Sequence, residues 1–176
     1  YLYFYAIKTG SLWTLYLDAD SLELVACVAA EYSESGKTGT FKTKTGIGET
    51  VQTARKNAED IVTAAEKGGM SDFQKLDFYR TKIRELSDYN HDAADSNKKV
   101  NYGNPWQLIW VFDGDPATKV VCEGYSKAFK YLCDLTDFSD LVHECIIVSG
   151  KMLGVGHMWN NVILQDGSVY LVDITN

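Results

Sequence analysis

Proline is nearly absent from this chain, with two residues in 176, which excludes a proline-rich linker or a collagen-like stretch. Basic residues are also few, since 17 Lys and Arg stand against 24 Asp and Glu, for a formal net charge of −7. Because phosphate binding requires a basic surface, this balance argues against nucleic acid or an anionic membrane surface as the main partner. The longest apolar runs, around Tyr1–Ile7 and Leu22–Ala30, fall far short of the roughly 18 residues that a membrane-spanning helix needs. No membrane-spanning segment is predicted.

Cysteines are too sparse to build a disulfide scaffold, since the chain has only four. Cys122, Cys133, His143 and Cys145 could be considered as zinc ligands, but no C-x-x-C pair is present and the spacing matches no common zinc pattern. We therefore predict no metal site and no cofactor. Cys27, Cys133 and Cys145 are predicted as core residues.

The remaining composition is that of a globular protein, with 45% hydrophobic and 23% charged residues. Residues 1–48 are predicted as a β-rich N-terminal extension or the end of a preceding domain, because strand-like runs alternate there with turn residues. The runs are Tyr3–Ile7, Leu12–Leu17 and Leu22–Ala29, and Glu31–Gly48 follows as an exposed loop or hairpin. Since the chain starts at Tyr1 rather than Met, we expect a processed piece of a longer protein.

Helical periodicity starts at Glu49, and residues 49–176 are predicted as the second domain. Apolar residues at helical spacing over Ala54–Ala65 predict one helix, which Gly68-Gly69 ends. Ser71, with Gln74 three residues later, predicts the N-cap and capping box of a second helix.

The later segments combine helix and strand patterns. Tyr89–Val100 is polar and is predicted as a loop, whereas the apolar run Leu108–Phe112 fits either a strand or a buried helix. From Cys122 onward, apolar residues at i, i+3, i+4 and i+7 predict a helix that buries one face. Three strand-like runs complete the chain: Glu144–Val148, Trp159–Leu164 and Val169–Ile174. Helices followed by an antiparallel sheet indicate the α+β class.

Cys122 lies at the predicted start of this helix. A thiol at a helix N-terminus meets unpaired N–H groups and the positive end of the helix dipole, and both favour the thiolate. Gly124 would allow another backbone to come close. The alternative, that Cys122 is a small buried hydrophobic residue, applies to most free cysteines and stays open at this point.

His157 begins a predicted strand, and Asp173 lies inside another, where an unpaired buried carboxylate would be costly. A two-residue turn at Asp166-Gly167 would direct these two side chains to opposite faces of the hairpin. A three-residue loop, Gln165–Gly167, would instead pair Asp173 with Trp159 and bring His157 to the same face. Glycine in the last loop position is what a type I turn with a G1 bulge requires.

Three motifs resemble those of the bacterial transglutaminase-like domain, a branch of the papain-like cysteine enzymes. Such domains carry a Cys-Gly-Tyr helix start, a His-x-Trp-Asn strand and an Asp-x-Thr strand in this order. The matching segments here are Val121–Ser126, Gly156–Asn160 and Tyr170–Thr175. Tyr89-Asn90 also resembles the Tyr-Asp that precedes the core of such domains, while the first forty residues carry no resemblance.

The resemblance implies a papain-like or transglutaminase-like core, in which a helix bearing Cys122 packs on an antiparallel sheet bearing His157 and Asp173. Cys122 would be the nucleophile, His157 the base and Asp173 the residue that orients His157. Further residues are candidates for oxyanion or substrate contacts, with packing as the alternative role for the first three: Tyr102, Trp106, Trp110, Gly124, Tyr125, Trp159 and Asn160.

The implied activity is thiol-dependent acyl transfer on peptide or glutamine carboxamides through a thioester. Transfer to water would make the protein a cysteine peptidase or hydrolase, which is the first expectation. Transfer to an amine would make it a protein-crosslinking transglutaminase, and a non-catalytic binding module with the same fold is the third alternative. The expected partner is a peptide or protein substrate, and the resemblance to bacterial members that act at the cell envelope implies a secreted, extracellular or envelope location.

Overall fold

The structure, a computed structural model, describes residues 13–17, 22–26, 47–95 and 106–175. Contacts within the chain define two units, Tyr1–Gln52 and Thr53–Asn176. In the first unit, β1 (Trp13–Leu17) and β2 (Leu22–Ala26) form an antiparallel pair, as the strand-like runs there predict. The predicted strand Tyr3–Ile7 lies outside the described residues.

Two long helices confirm the helical periodicity of the sequence. Helix α1 covers Ile47–Lys67 and helix α2 covers Asp72–Leu86. The first helix ends at the glycine pair, where Gly69 has a φ of 62° that an L side chain adopts only with strain. The second begins with the predicted capping box, because the Ser71 side chain accepts the Gln74 N–H and the Gln74 side chain accepts the Ser71 N–H.

The segment after α2 corrects one prediction. The sequence predicts a loop over Tyr89–Val100, but Tyr89 lies in strand β3 (Asp88–Tyr89) and the short helix α3 (His91–Ala94) follows, while residues 96–100 lie outside the described residues. Strand β3 pairs in parallel with β4 (Lys119–Val120), with Tyr89 opposite Val120. A two-residue strand is too short to carry an alternating apolar pattern, and its partner lies far along the chain, so the sequence gives no local signal for it.

Two helices pack around the residue predicted as the nucleophile. The apolar run after residue 105 is the buried helix α4 (Trp106–Phe112), and α5 covers Cys122–Asp134 as predicted. They approach closely at Gly124, where an added Cβ would lie 2.5 Å from the Val120 Cβ and 2.9 Å from the Gln107 carbonyl oxygen. Only glycine fits this contact, which sets the position of the first turn of α5.

The remaining strands form a three-stranded antiparallel sheet in the order β5-β6-β7. Strand β5 covers Val142–Met152, β6 covers Val155–Leu164 and β7 covers Val169–Val172. The first hairpin is longer than the sequence runs predict, and β7 is shorter. Asp173 therefore follows β7 instead of lying inside it, which corrects the prediction, because the chain turns there and the Thr175 N–H donates to its carboxylate.

Thr53–Asn176 is thus a mixed α+β unit whose core lies between α2, α4, α5 and the sheet. Its fully buried side chains include Tyr79, Leu108, Phe129 and Val162. Cys133 and Cys145 are buried with free thiols, as predicted for core residues, while Cys27 lies outside the described residues. Among the described helices, none combines the length and the apolar character needed to cross a membrane.

Candidate active site

The β6–β7 hairpin has the register that brings His157 and Asp173 together. Asn160 pairs with Val172, so the loop between the strands has three residues. Gly167, in the last loop position, has a φ of 82°. Of the two loops that the sequence allows, the structure thus has the three-residue loop, and the two-residue turn is excluded.

Both oxygens of the Asp173 carboxylate are held in place. Oδ2 lies 2.8 Å from Nε2 of His157, and Oδ1 accepts a hydrogen bond of 3.1 Å from the Thr175 N–H. The two side chains are only 12% and 8% exposed for His157 and Asp173, so little water competes for this contact. Within the described residues, Nδ1 of His157 has no hydrogen bond. When Nε2 donates its proton to Asp173, Nδ1 is therefore the nitrogen that can accept another proton.

Trp159 restricts the imidazole of His157 from one side. The two rings are stacked, with centroids 6.0 Å apart and planes inclined by 25°. The indole lies against the backbone of Gly150 on the neighbouring strand, where an added Cβ would come within 2.7 Å of a Trp159 ring carbon. A glycine opposite the histidine thus makes room for the ring that covers it.

Two features position Cys122: the start of α5 and the side chain of Gln107, which is not among the residues that the sequence marks as functional. Gln107 is fully buried, and its Oε1 accepts the N–H of Val121 at 2.9 Å, directly before Cys122. Val121 is the N-cap and supplies no capping side chain, so first-turn N–H groups of α5 are not consumed by a cap. The only sequence signal for Gln107 is a polar residue within an otherwise apolar run.

The pKa of the Cys122 thiol lies above its ordinary value. Burial is the largest cause, and the negative charges of Glu123 and Asp173 act in the same direction. Hydrogen bonding from the backbone N–H groups of Met158 and Glu123 opposes these effects without cancelling them. Backbone N–H groups near the helix start thus lower the pKa of Cys122, in the direction that the sequence predicts, but burial outweighs them.

A hydrogen bond between β6 and α5 indicates where the thiol lies. Asn160, three residues after His157, donates to the Ser126 carbonyl, about one turn after Cys122, so the start of α5 lies beside the strand that carries the imidazole. No hydrogen bond joins the Cys122 thiol to His157 in the part of the chain that the structure describes. Transfer of a proton between them thus requires a change in side-chain conformation or a bridging water.

The other candidate residues fall into two groups. Asn160 is fully buried and donates from Nδ2 to the Ser126 carbonyl on α5, and buried Tyr125 donates from its hydroxyl to the Ser87 carbonyl. The structure thus uses both side chains to join elements of the fold. Trp106 and Trp110 are half-buried on α4, and Tyr102 lies outside the described residues.

An apolar cavity of about 570 Å³ borders Asp173 on the side of α2 and α5. Its lining is apolar apart from Asp77, Arg80 and Asp173. A cavity of this size is in the range that accommodates a small ligand or a large side chain.

The structure therefore brings His157 and Asp173 into contact and places the first turn of α5, which carries Cys122, beside the same strand. Comparison of the chain with protein-family models, with curated proteins and with solved structures finds no match. The chemistry of the site follows from its groups: a thiol whose pKa burial raises, an imidazole with one nitrogen that makes no hydrogen bond among the described residues, and a buried carboxylate that contacts the imidazole. Such a set can carry out nucleophilic attack on a carbonyl carbon.

Proposed function

We propose that this protein is a thiol-dependent acyl-transfer enzyme in which Cys122 is the nucleophile, His157 the base and Asp173 the residue that orients the base. The observation that carries the proposal is the 2.8 Å contact between Nε2 of His157 and Oδ2 of Asp173, made beside the start of α5. The motif order and the resemblance to transglutaminase-like domains support it, and with it a papain-like core.

The reaction would begin with proton transfer from the Cys122 thiol to Nδ1 of His157. The sulfur then attacks a carboxamide carbon, an S–C bond forms and the carbonyl electrons move to oxygen. The imidazolium returns its proton to the amine as the C–N bond breaks, which leaves a thioester on Cys122. Asp173 keeps the proton on Nε2 and stabilises the positive charge of the imidazolium.

Water is the acyl acceptor that we propose, so the enzyme would be a cysteine peptidase or amide hydrolase acting on a peptide or protein. The resemblance to bacterial members with peptidase character supports this choice and an extracellular or envelope setting. An amine acceptor would give a crosslinking enzyme that uses the same first step. Both acceptors react with the same thioester but give different products, an acid with water and a substituted amide with an amine. An experiment that identifies the product therefore identifies the acceptor.

Glutamine-containing peptides, incubated with the protein in the presence or absence of methylamine, test the proposal. Mass spectrometry would detect a hydroxylamine-sensitive thioester on Cys122 and either the free acid or the methylamide as product. Cys122→Ala should abolish all of these, whereas Cys133→Ala, once shown to be folded, should retain them. Equal product formation by the wild-type protein and Cys122→Ala would refute the proposal, and methylamide as the main product would reassign the acceptor.

A further inference from the structure

Tyr89 is a residue near the site whose ring is held on several sides. Strand β3 places it opposite Val120, and the Asn90 N–H donates to the Val120 carbonyl at 2.8 Å. The ring is stacked with that of Tyr125, with centroids 6.3 Å apart and planes inclined by 18°. Since Val120 lies two residues before Cys122 and Tyr125 lies one turn after it, the Tyr89 ring lies along the first turn of α5.

The hydroxyl of Tyr89 differs from those of two buried tyrosines in the same unit, Tyr125 and Tyr79. Tyr125 donates to the Ser87 carbonyl at 2.7 Å, and the Tyr79 hydroxyl shares a 2.8 Å hydrogen bond with Thr136. Tyr89 is half-buried, and within the described part of the chain its hydroxyl has no hydrogen-bond partner. A rigidly held ring with a free donor is well suited to bind a group that is present only during a reaction.

The position of Tyr89 exposes its hydroxyl to the charges of the site. Burial is the largest cause that raises the pKa of Tyr89, and the negative charges available to Cys122 and Asp173 raise it further. The phenol therefore stays protonated, and it lies within electrostatic reach of the nucleophile and of the carboxylate that orients the base. The Tyr89 ring also lies near the exposed His91 ring, with the two ring centroids 5.1 Å apart.

We propose that Tyr89 is a catalytic residue whose hydroxyl donates a hydrogen bond to the oxyanion formed when Cys122 attacks a carbonyl carbon. The inference rests on the proposed function. The S–C bond forms as the carbonyl electron pair moves to oxygen, and Tyr89 holds that oxygen without giving up its proton. When the pair returns, the bond to the leaving group breaks, the departing amine takes the proton from the imidazolium, and Tyr89 is left bonded to the neutral carbonyl oxygen of the thioester on Cys122. The backbone N–H of Cys122, at the first position of α5, supplies the second donor.

Two reagents separate an effect on the oxyanion from an effect on the thiol. p-Nitrophenyl acetate acylates a cysteine through a tetrahedral oxyanion and releases p-nitrophenolate, whereas iodoacetamide alkylates the same sulfur by displacement at a saturated carbon. Tyr89→Phe keeps the stacked ring and removes only the hydroxyl. We expect acylation of Cys122 to slow about 100-fold, the scale seen when one oxyanion donor is removed, with alkylation and melting temperature unchanged.

Tyr125→Phe is the matched control, because it removes a hydroxyl with a purely structural partner. It should lower the melting temperature and slow neither reaction selectively. An unchanged acylation rate in Tyr89→Phe, or equal slowing of acylation and alkylation, would overturn the inference. A wild-type protein that is alkylated at Cys122 with dependence on His157 but is not acylated would also overturn it, while leaving the thiol–imidazole pair of the proposed function intact.

Discussion

Cys122 and His157, the proposed nucleophile and base, lie in two regions that are built in different ways. Around Cys122, helices α4 and α5 are closely packed, and Leu108, Phe129 and Leu132 are fully buried. Around His157, the sheet has only three strands, and the last one leaves Val169, Tyr170 and Leu171 more than half exposed. Helix packing and the Gln107 hydrogen bond therefore position the thiol, whereas the imidazole depends on its hydrogen bond to Asp173 and on one stacked ring.

This difference determines which substitutions should matter in each region. On the helical side, an added methyl group meets atoms that cannot move without shifting a helix, so volume is critical. On the sheet side, a methyl group finds space at Gly156, though not at Gly150 against Trp159, and the loss of one polar group leaves the imidazole without its orientation. Substitutions of equal size should thus have unequal effects, depending on the side of the site on which they lie.

The largest effect is expected for Asp173→Asn, which preserves shape and removes charge. An amide side chain can either accept a hydrogen bond from Nε2 of His157 or donate one to it, so the proton is no longer fixed on Nε2. In the second case Nδ1 carries the proton and cannot act as the proposed base. Acylation of Cys122 by p-nitrophenyl acetate should fall about 10²- to 10⁴-fold, while the melting temperature changes little. Asp166→Asn, in the exposed loop of the same hairpin, should react like the wild-type protein.

Gly124→Ala and Gly156→Ala compare the two sides with the same added methyl group. At Gly124 the Cβ would lie 2.5 Å from Val120, whereas at Gly156, next to His157, nothing lies within 4 Å. Gly124→Ala should lower the free energy of unfolding by about 1–3 kcal/mol and slow alkylation of Cys122. Gly156→Ala should stay within about 0.5 kcal/mol of the wild type. Chemical denaturation measures both, and equal losses would contradict the proposed difference in packing.

Asp72→Asn tests a polar contact inside the helical side, away from the site. Burial alone would raise the pKa of Asp72, but backbone N–H groups of residues 139–142 bind the carboxylate and hold its pKa below the ordinary value of 3.8. The charged form thus stabilises the fold above that pH, and its contribution is lost as the pH falls through the lowered pKa. The variant should be less stable by about 1–3 kcal/mol near pH 7.

The pH dependence of the stability difference between Asp72→Asn and the wild type tests whether the charge of Asp72 is responsible. In urea denaturation, the difference between Asp72→Asn and the wild type should shrink below pH 3.8. Asp140→Asn, which alters an exposed carboxylate in the same loop, should show no such trend. A difference that stays constant down to the lowest accessible pH would contradict the role of the buried charge.

The smallest effect is expected at the exposed edge of the sheet. Leu171 is 60% exposed on β7, so Leu171→Gln should change the free energy of unfolding by no more than about 0.5 kcal/mol. Leu132→Ala, on the buried face of α5, should cost about 2–5 kcal/mol. Thermal denaturation of the two variants compares the regions directly, and a large loss at Leu171 would show that the edge is covered in solution.

The sequence predicts those parts of the structure that depend on local chemistry. Ser71 and Gln74 indicate the capping box, and Gly167 indicates the three-residue loop that aligns His157 with Asp173. The apolar period of α5 likewise places Cys122 at its first position. In each case the signal and its structural consequence lie within a few residues of each other.

Features that depend on distant parts of the chain could not be predicted in this way. Gln107 holds Val121 across the contact between two helices, and Tyr89 reaches the site through a two-residue parallel bridge. The pKa of Cys122 is of the same kind, because it is raised mainly by burial among elements that only the folded chain brings together. The sequence indicates the helix N-terminus, which lowers that pKa, but it does not indicate the burial, which raises the pKa by more.

The most direct test is the pH dependence of iodoacetamide alkylation at Cys122, measured by mass spectrometry for the wild type and for His157→Ala. If His157 is the base, the wild-type thiol should react near pH 7 at least about tenfold faster than the variant. In the variant, alkylation should rise only above pH 9, because burial raises the pKa of the isolated thiol. Identical profiles for the two proteins would contradict the thiol–imidazole pair, and with it the proposed enzyme.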